Sequence, residues 1–293
     1  MFDDDTSAVV GEEAYVLLER LFKFLESDED LNPVLSGYFC KLVTLLINRK
    51  QKQVIPYVFS EGSTIIDRLL HHVYQKSISE LLNKLLTVAD NEYDSDVVAR
   101  IKSKQNEVVS KLIQKLSPEH SEEDNLNGCS ILYDLLETKQ FFNVACSQEN
   151  VELLIGYATN PQATIPSRAN SCIILYALCI NTHKKNDEVN LNSDDEEITT
   201  QTEAESSPLV AALKDNLQKF SESLATSSEE NKLQTSIDNQ EIVPLGQVKL
   251  RTVELLVQVL KLHQEPLTEA VLESDLMLRL SDLLETHPWN NFL

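Results

Sequence analysis

Four short segments of this chain are near-copies of one another: 42-LVTLLIN, 82-LNKLLTV, 132-LYDLLET and 175-LYALCIN. Their starts are separated by 40, 50 and 43 residues (82 − 42, 132 − 82, 175 − 132). In each, an apolar residue is followed at the third and fourth positions by two more, which places all three on one face of a helix. Recurrence of one amphipathic helix at about 40–47 residues is the signature of armadillo and HEAT solenoids. Such a helix cannot cover its own apolar stripe, so neighbouring units must stack. The repeat predicts an all-α fold, an armadillo/HEAT-like α-solenoid of stacked helix pairs. A fold of that kind offers a binding surface rather than a reaction centre.

Composition supports helices. The chain holds 6 Gly and 9 Pro in 293 residues, too few turn formers for a sandwich or barrel of many short strands. Its formal charge of −22 sets a field that repels phosphate backbones and anionic headgroups. Nucleic acid and membrane surfaces are therefore excluded as expected partners, and basic protein surfaces are favoured. The five cysteines, Cys40, Cys129, Cys146, Cys172 and Cys179, are odd in number and contain no C-x-x-C. They read as reduced, buried thiols of a protein of the cytoplasm, with the nucleus as a second compartment. No Asn-x-Ser/Thr acceptor occurs, and the longest apolar run, 172-CIILYALCI, is too short to span a bilayer.

Along the chain, residues 1–11 form an acidic start that frays, and helical repeats occupy 12–183. The first helix is expected at about 12–27, with Leu17, Leu18, Leu21, Phe22 and Leu25 inward. A second is expected at about 33–49, with Asn32 as cap, Pro33 in its first turn and 48-NRK at its end, where cations favour the helix dipole. Residues 184–207 hold eight acids against two lysines and read as a disordered acidic insertion. Further repeats fill 208–293. A helix from Pro208 to about Leu224 points Leu209, Leu213, Leu217 and Phe220 inward, and a last pair is read at 246-GQVKLRTVELLVQVLKL and 275-DLMLRLSDLLET. The segment 280-LSDLLET nearly repeats 132-LYDLLET. The apolar end 288-PWNNFL predicts that another repeat follows it.

No residue constellation points to catalysis. His71 and His72 are adjacent, so they lie about 100° apart on a helix and do not chelate one ion together. Cys172 and Cys179 share an aliphatic helix face, unlike an activated thiol. No G-x-S-x-G, Walker loop, G-x-G-x-x-G or H-E-x-x-H occurs. The chain is expected not to be an enzyme and to need no metal or cofactor. Two serines suit phosphorylation: Ser193 precedes 194-DDEE, and Ser207 precedes Pro208 at a helix start.

Several blocks resemble the SAPS-domain family. The segment 31-LNPVLSGYFCKLVTLLINRK is similar to its opening signature, and 71-HHVYQKSISELLNKLLTV to the helix pair that follows. Further on, 243-VPLGQVKLRTVELLVQVLK resembles the family's P-L-G-x-x-[RK]-L helix, and 288-PWNNFL its W-N-N-F-L-H motif without the histidine. Members are regulatory subunits of the protein phosphatase 6-type serine/threonine phosphatase, on a helical-repeat scaffold. The resemblance implies a non-catalytic subunit that binds the phosphatase catalytic subunit, directs it to substrates and engages further scaffold subunits. Positions matching the motifs, Asn32, Asn48, Arg49, Lys50, Trp289, Asn290 and Asn291, are the candidate contacts. Arg49 and Lys50 stand out as cations on an otherwise acidic chain. The rival expectation is a generic armadillo-type adaptor for basic partners; such adaptors carry regular Trp-Asn ladders, and this chain has one Trp.

Overall fold

A computed structural model describes residues 15–27, 29–88, 93–192, 207–225 and 244–287, without the side chains of 139, 140 and 184–192. All regular elements among these residues are helical. Helix α1 covers 15–22 and tightens into a 3-10 turn at Lys23–Glu26. There follow α2 (Pro33–Val58), α3 (Ile65–His71), α4 (Lys76–Leu86), α5 (Ser95–Gln114), α6 (Glu122–Leu136) and α7 (Lys139–Ala145). Next come α8 (Gln148–Thr159), α9 (Ile165–Asn192), α10 (Pro208–Asp215) and α11 (Leu217–Ala225). The series ends with α12 (Gln247–Leu260), α13 (Glu265–Glu273) and α14 (Leu276–Thr286).

Local chemistry sets several helix starts. Asn32 caps α2 by accepting from the backbone N–H groups of Val34 (3.0 Å) and Leu35 (3.2 Å). Ser121 caps α6 and Ser147 caps α8 in the same way. Before α12, Gly246 takes φ +84°, a left-handed backbone that a side chain would strain.

The helices lie in two rows. The four repeated segments fall on α2, α4, α6 and α9, and these pack successively against one another, with α12 continuing the row on α9. Beside them, α3, α5, α8, α10 and α13 form a second row, also in contact from one member to the next. The pairs α3·α4, α5·α6, α8·α9 and α12·α13 join the rows. This is the stacked-pair arrangement that the repeat calls for, and one apolar core runs through it.

Polar side chains tie the units together by bonding to the free carbonyls at helix ends and turns. Gln105 donates to Leu86 O (2.7 Å), and Asn127 to both Val73 O and Tyr74 O (2.9 Å each). Asn125 donates to Lys115 O (2.9 Å) and Ser117 O (3.2 Å), Asn181 to Leu136 O (2.7 Å), and Ser167 to Leu116 O. Each satisfies a polar group that burial would otherwise leave unpaired.

Several elements differ from expectation. In α1, Leu18, Phe22 and Leu25 are buried but Leu17 is exposed. Helix α2 does not stop at 48-NRK; it bends at Lys50 and continues to Val58, because Val54, Ile55 and Val58 have a core to enter. The helix expected from Pro208 to Leu224 breaks at Asn216, whose side-chain amide donates to Ala212 O (2.8 Å) and competes with the backbone. Its inward set of Leu209, Leu213, Leu217 and Phe220 is buried as expected. Helices α7 and α13 are additions. Helix α9 runs on to Asn192, past Lys184 where composition starts the acidic insertion; residues 193–206 lie outside the described residues, as does 1–14.

Candidate functional site

All five cysteines are buried, and none is joined in a disulfide. Burial pushes the thiols of Cys40 and Cys172 up to about 11 and that of Cys129 to about 12, and raises Cys179 as well. Thiols raised in this way stay protonated at neutral pH, unlike an activated nucleophile. His71 is exposed while His72 is buried, with Nε2 3.4 Å from Leu25 O. Burial, with the neighbouring His71, lowers the His72 pKa. Among the described residues no three His, Cys, Asp or Glu side chains converge as a metal would need, and no helix is long and apolar enough to cross a membrane.

A depression of about 320 Å³ beside α3 and α5 is lined by His71, Lys111, Lys115 and His120. Its lysines are already engaged: Lys111 with Asp67 (2.6 Å) and Glu107 (2.5 Å), Lys115 with Asp124 (3.3 Å). Burial opposes ionisation of Asp67, but Lys104 and Lys111 outweigh it and hold its carboxyl below the ordinary value. This network braces the second row.

The face of the first row is different. Polar bonds run across it from helix to helix: Lys84 of α4 donates to Asn48 of α2 (2.7 Å), and Asn83 of α4 to Asp134 of α6 (2.7 Å). The repeated segments are not equivalent on this face. Leu82, Leu85 and Leu86 of α4, Leu132, Leu135 and Leu136 of α6, and Leu175, Leu178 and Cys179 of α9 are all buried. In α2 the first two members of the pattern are turned outward, while the third, Leu46, is half-buried against the core. Leu42 is 46% exposed and Leu45 44%, while the core takes Phe39, Cys40, Val43 and Ile47. Val34 (64%) and Tyr38 (65%) extend the outward stripe toward the helix start.

The candidate contacts divide accordingly. Arg49 and Lys50 are exposed at the end of that stripe and form no ion pair with a described residue, as does Lys41 beside it. Asn48 is exposed, with its side-chain oxygen held by Lys84. Asn32 is exposed but committed to its cap. Trp289, Asn290 and Asn291 lie outside the described residues, as does Ser193. Ser207 sits just before α10 in extended backbone and makes no side-chain cap bond. The outward leucines carried no separate signal in the sequence, because the same pattern is buried elsewhere.

The chain is 26% identical over 302 residues to serine/threonine-protein phosphatase 6 regulatory subunit 1 of Mus musculus, covering 94% of this chain and 35% of that protein. It is 23% identical over 291 residues to regulatory subunit 3-B of Xenopus laevis, covering 94% and 34%. Against regulatory subunit 2 of Homo sapiens the figures are 24% over 292 residues, 94% and 30%. The chain thus spans about a third of the length of the curated relatives it matches. No solved structure matches it. The family model described as SIT4 phosphatase-associated protein (SAPS) matches residues 43–277, from the outward-turned helix to α14, and the chain belongs to that family.

Proposed function

We propose that this chain is a non-catalytic regulatory and scaffolding subunit that binds a protein phosphatase 6-type serine/threonine phosphatase catalytic subunit and directs it to substrates. The observation that carries the reading is the SAPS match across most of the chain, with relatives named as regulatory subunits of phosphatase 6. A stacked row that exposes a continuous face suits a subunit that works by holding others. Arg49, Lys50 and Asn48 are the contacts on that face, with Trp289, Asn290 and Asn291 as a second set. Further scaffold subunits join the same complex, in the cytoplasm and the nucleus. Phosphate on Ser207 would stand at the start of α10, where the helix dipole favours negative charge.

The test is co-purification of this chain with a phosphatase 6-type catalytic subunit, beside an array of basic peptides. Capture of the catalytic subunit supports the reading. Capture of basic peptides alone overturns it in favour of a generic adaptor.

A further inference from the structure

The outward turn of α2 leaves an arrangement that packing among the described residues does not use. Val34, Tyr38, Leu42 and Leu45 are spaced by four, four and three residues, so they form a single stripe. From residue 34 to residue 49 the stripe is about 22 Å long at helical rise. Exposed apolar patches of this continuity mark interaction sites. The next helix of the row offers nothing similar: α4 exposes Lys76 and Glu80, with Asn83 and Lys84 half-buried.

Charge adds direction. Lys41 lies on one flank of the stripe, and Arg49 and Lys50 close its end. These cations are exposed and have no described anionic partner, on a chain whose formal charge is −22. A second copy of such a chain would bring its own large negative field, and mutual repulsion opposes pairing of like molecules. A partner with an apolar centre and carboxylates at its rim is attracted by both features.

We propose that the outward face of α2 is the docking surface for the catalytic subunit, through an apolar patch of that subunit bordered by acidic residues. This rests on the regulatory-subunit reading above. Tyr38, Leu42 and Leu45 form the desolvated centre of the contact. Arg49 and Lys50 form its charged rim and set the rate of encounter.

The test is binding of a purified phosphatase 6-type catalytic subunit to the whole chain, followed by biolayer interferometry at two salt concentrations. The variants are L42D/L45D and R49E/K50E, with Lys76→Glu on α4 as a control of matched exposure; thermal melting checks that each folds. L42D/L45D should weaken binding by at least ~10-fold, as loss of a contact centre does. R49E/K50E should lose ~3–10-fold, mainly in association rate, and should flatten the salt dependence. The control should stay within ~2-fold, the range of a rim charge outside the contact.

Binding at the original level by both altered chains overturns the proposal while the regulatory reading stands. No binding by the unaltered chain overturns both. Sedimentation showing a dimer that L42D/L45D converts to monomer overturns the proposal in favour of a second copy.

Discussion

Helices α2 and α4 carry the same repeated pattern and lie side by side, yet they use it in opposite ways. In α4 the three leucines at 82, 85 and 86 are enclosed. In α2 the equivalent Leu42 and Leu45 face outward and only Leu46 packs, half-buried, against the core. The intervening residues explain the difference. Within 82-LNKLLTV the positions one and five after the first leucine are Asn83 and Thr87, so only one orientation buries apolar surface. Within 42-LVTLLIN they are Val43 and Ile47, and two overlapping stripes compete for the core. Phe39 favours the second stripe, because it packs edge-on against Phe22 and stacks with Phe24 at the end of α1. The repeat decides that a helix packs; the residues between decide which side is left over.

The sharpest way to break this comparison is a pair of truncations. Leu85→Ala opens a cavity and should cost about 2–5 kcal/mol, whereas Leu45→Ala should cost no more than about 0.5 kcal/mol. Urea denaturation of both variants measures the difference, and equal costs would mean that α2 is not turned outward. A smaller loss tests how the approach to α4 is pinned. Asn127→Ala strands the carbonyls of Val73 and Tyr74 just before that helix and should cost about 1–3 kcal/mol in the same assay.

Capping separates the two helices again. Asn32→Ala should cost about 1 kcal/mol, because it removes the oxygen that holds two amides of α2. Helix α4 has no side-chain cap to lose at Gln75. The mildest effect is expected in acid. The His72 pKa is lowered from 6.5 by burial and by His71, so the unfolded chain takes up the proton first as pH falls through 6.5. Stability present above that value is then lost progressively until the folded pKa is reached. His120 and His287 are lowered in the same direction, by burial first. His72→Leu should shallow the slope of stability below pH 6.5. Because His72 meets Leu25 O, hydrogen exchange should show the α1–α2 end loosening before α4; simultaneous loosening would remove this distinction.

Much of this architecture is legible in the residues, and each failure has its own physical cause. Helices α4 and α6 follow from their leucines because one orientation alone buries them, and α9 follows from its continuous apolar run. Asn32 reads as a cap and is so used. Periodicity gives the existence of α2 but not its rotation, since an apolar arc wide enough for two stripes leaves the choice to neighbours. Nor does 48-NRK stop the helix: cations near a terminus stabilise an end without forcing one. Short helices such as α13, with Leu267 and Val271 as its buried apolar residues, carry too few periods to be read. At the candidate site, Asn48 is visible as an exposed amide, but its bond to Lys84 depends on a residue 36 positions away.

The ties between units have a consequence for how such a chain tolerates change. The receiving groups at Leu86, Val73, Tyr74, Lys115, Ser117, Leu116 and Leu136 are all backbone carbonyls. A carbonyl is present whatever the side chain, so each joint constrains the identity of one donor and leaves the acceptor's residue type open. Only the donors and the buried stripe must then keep their character while the rest of the surface drifts. A scaffold jointed in this manner can keep its architecture while its exterior changes.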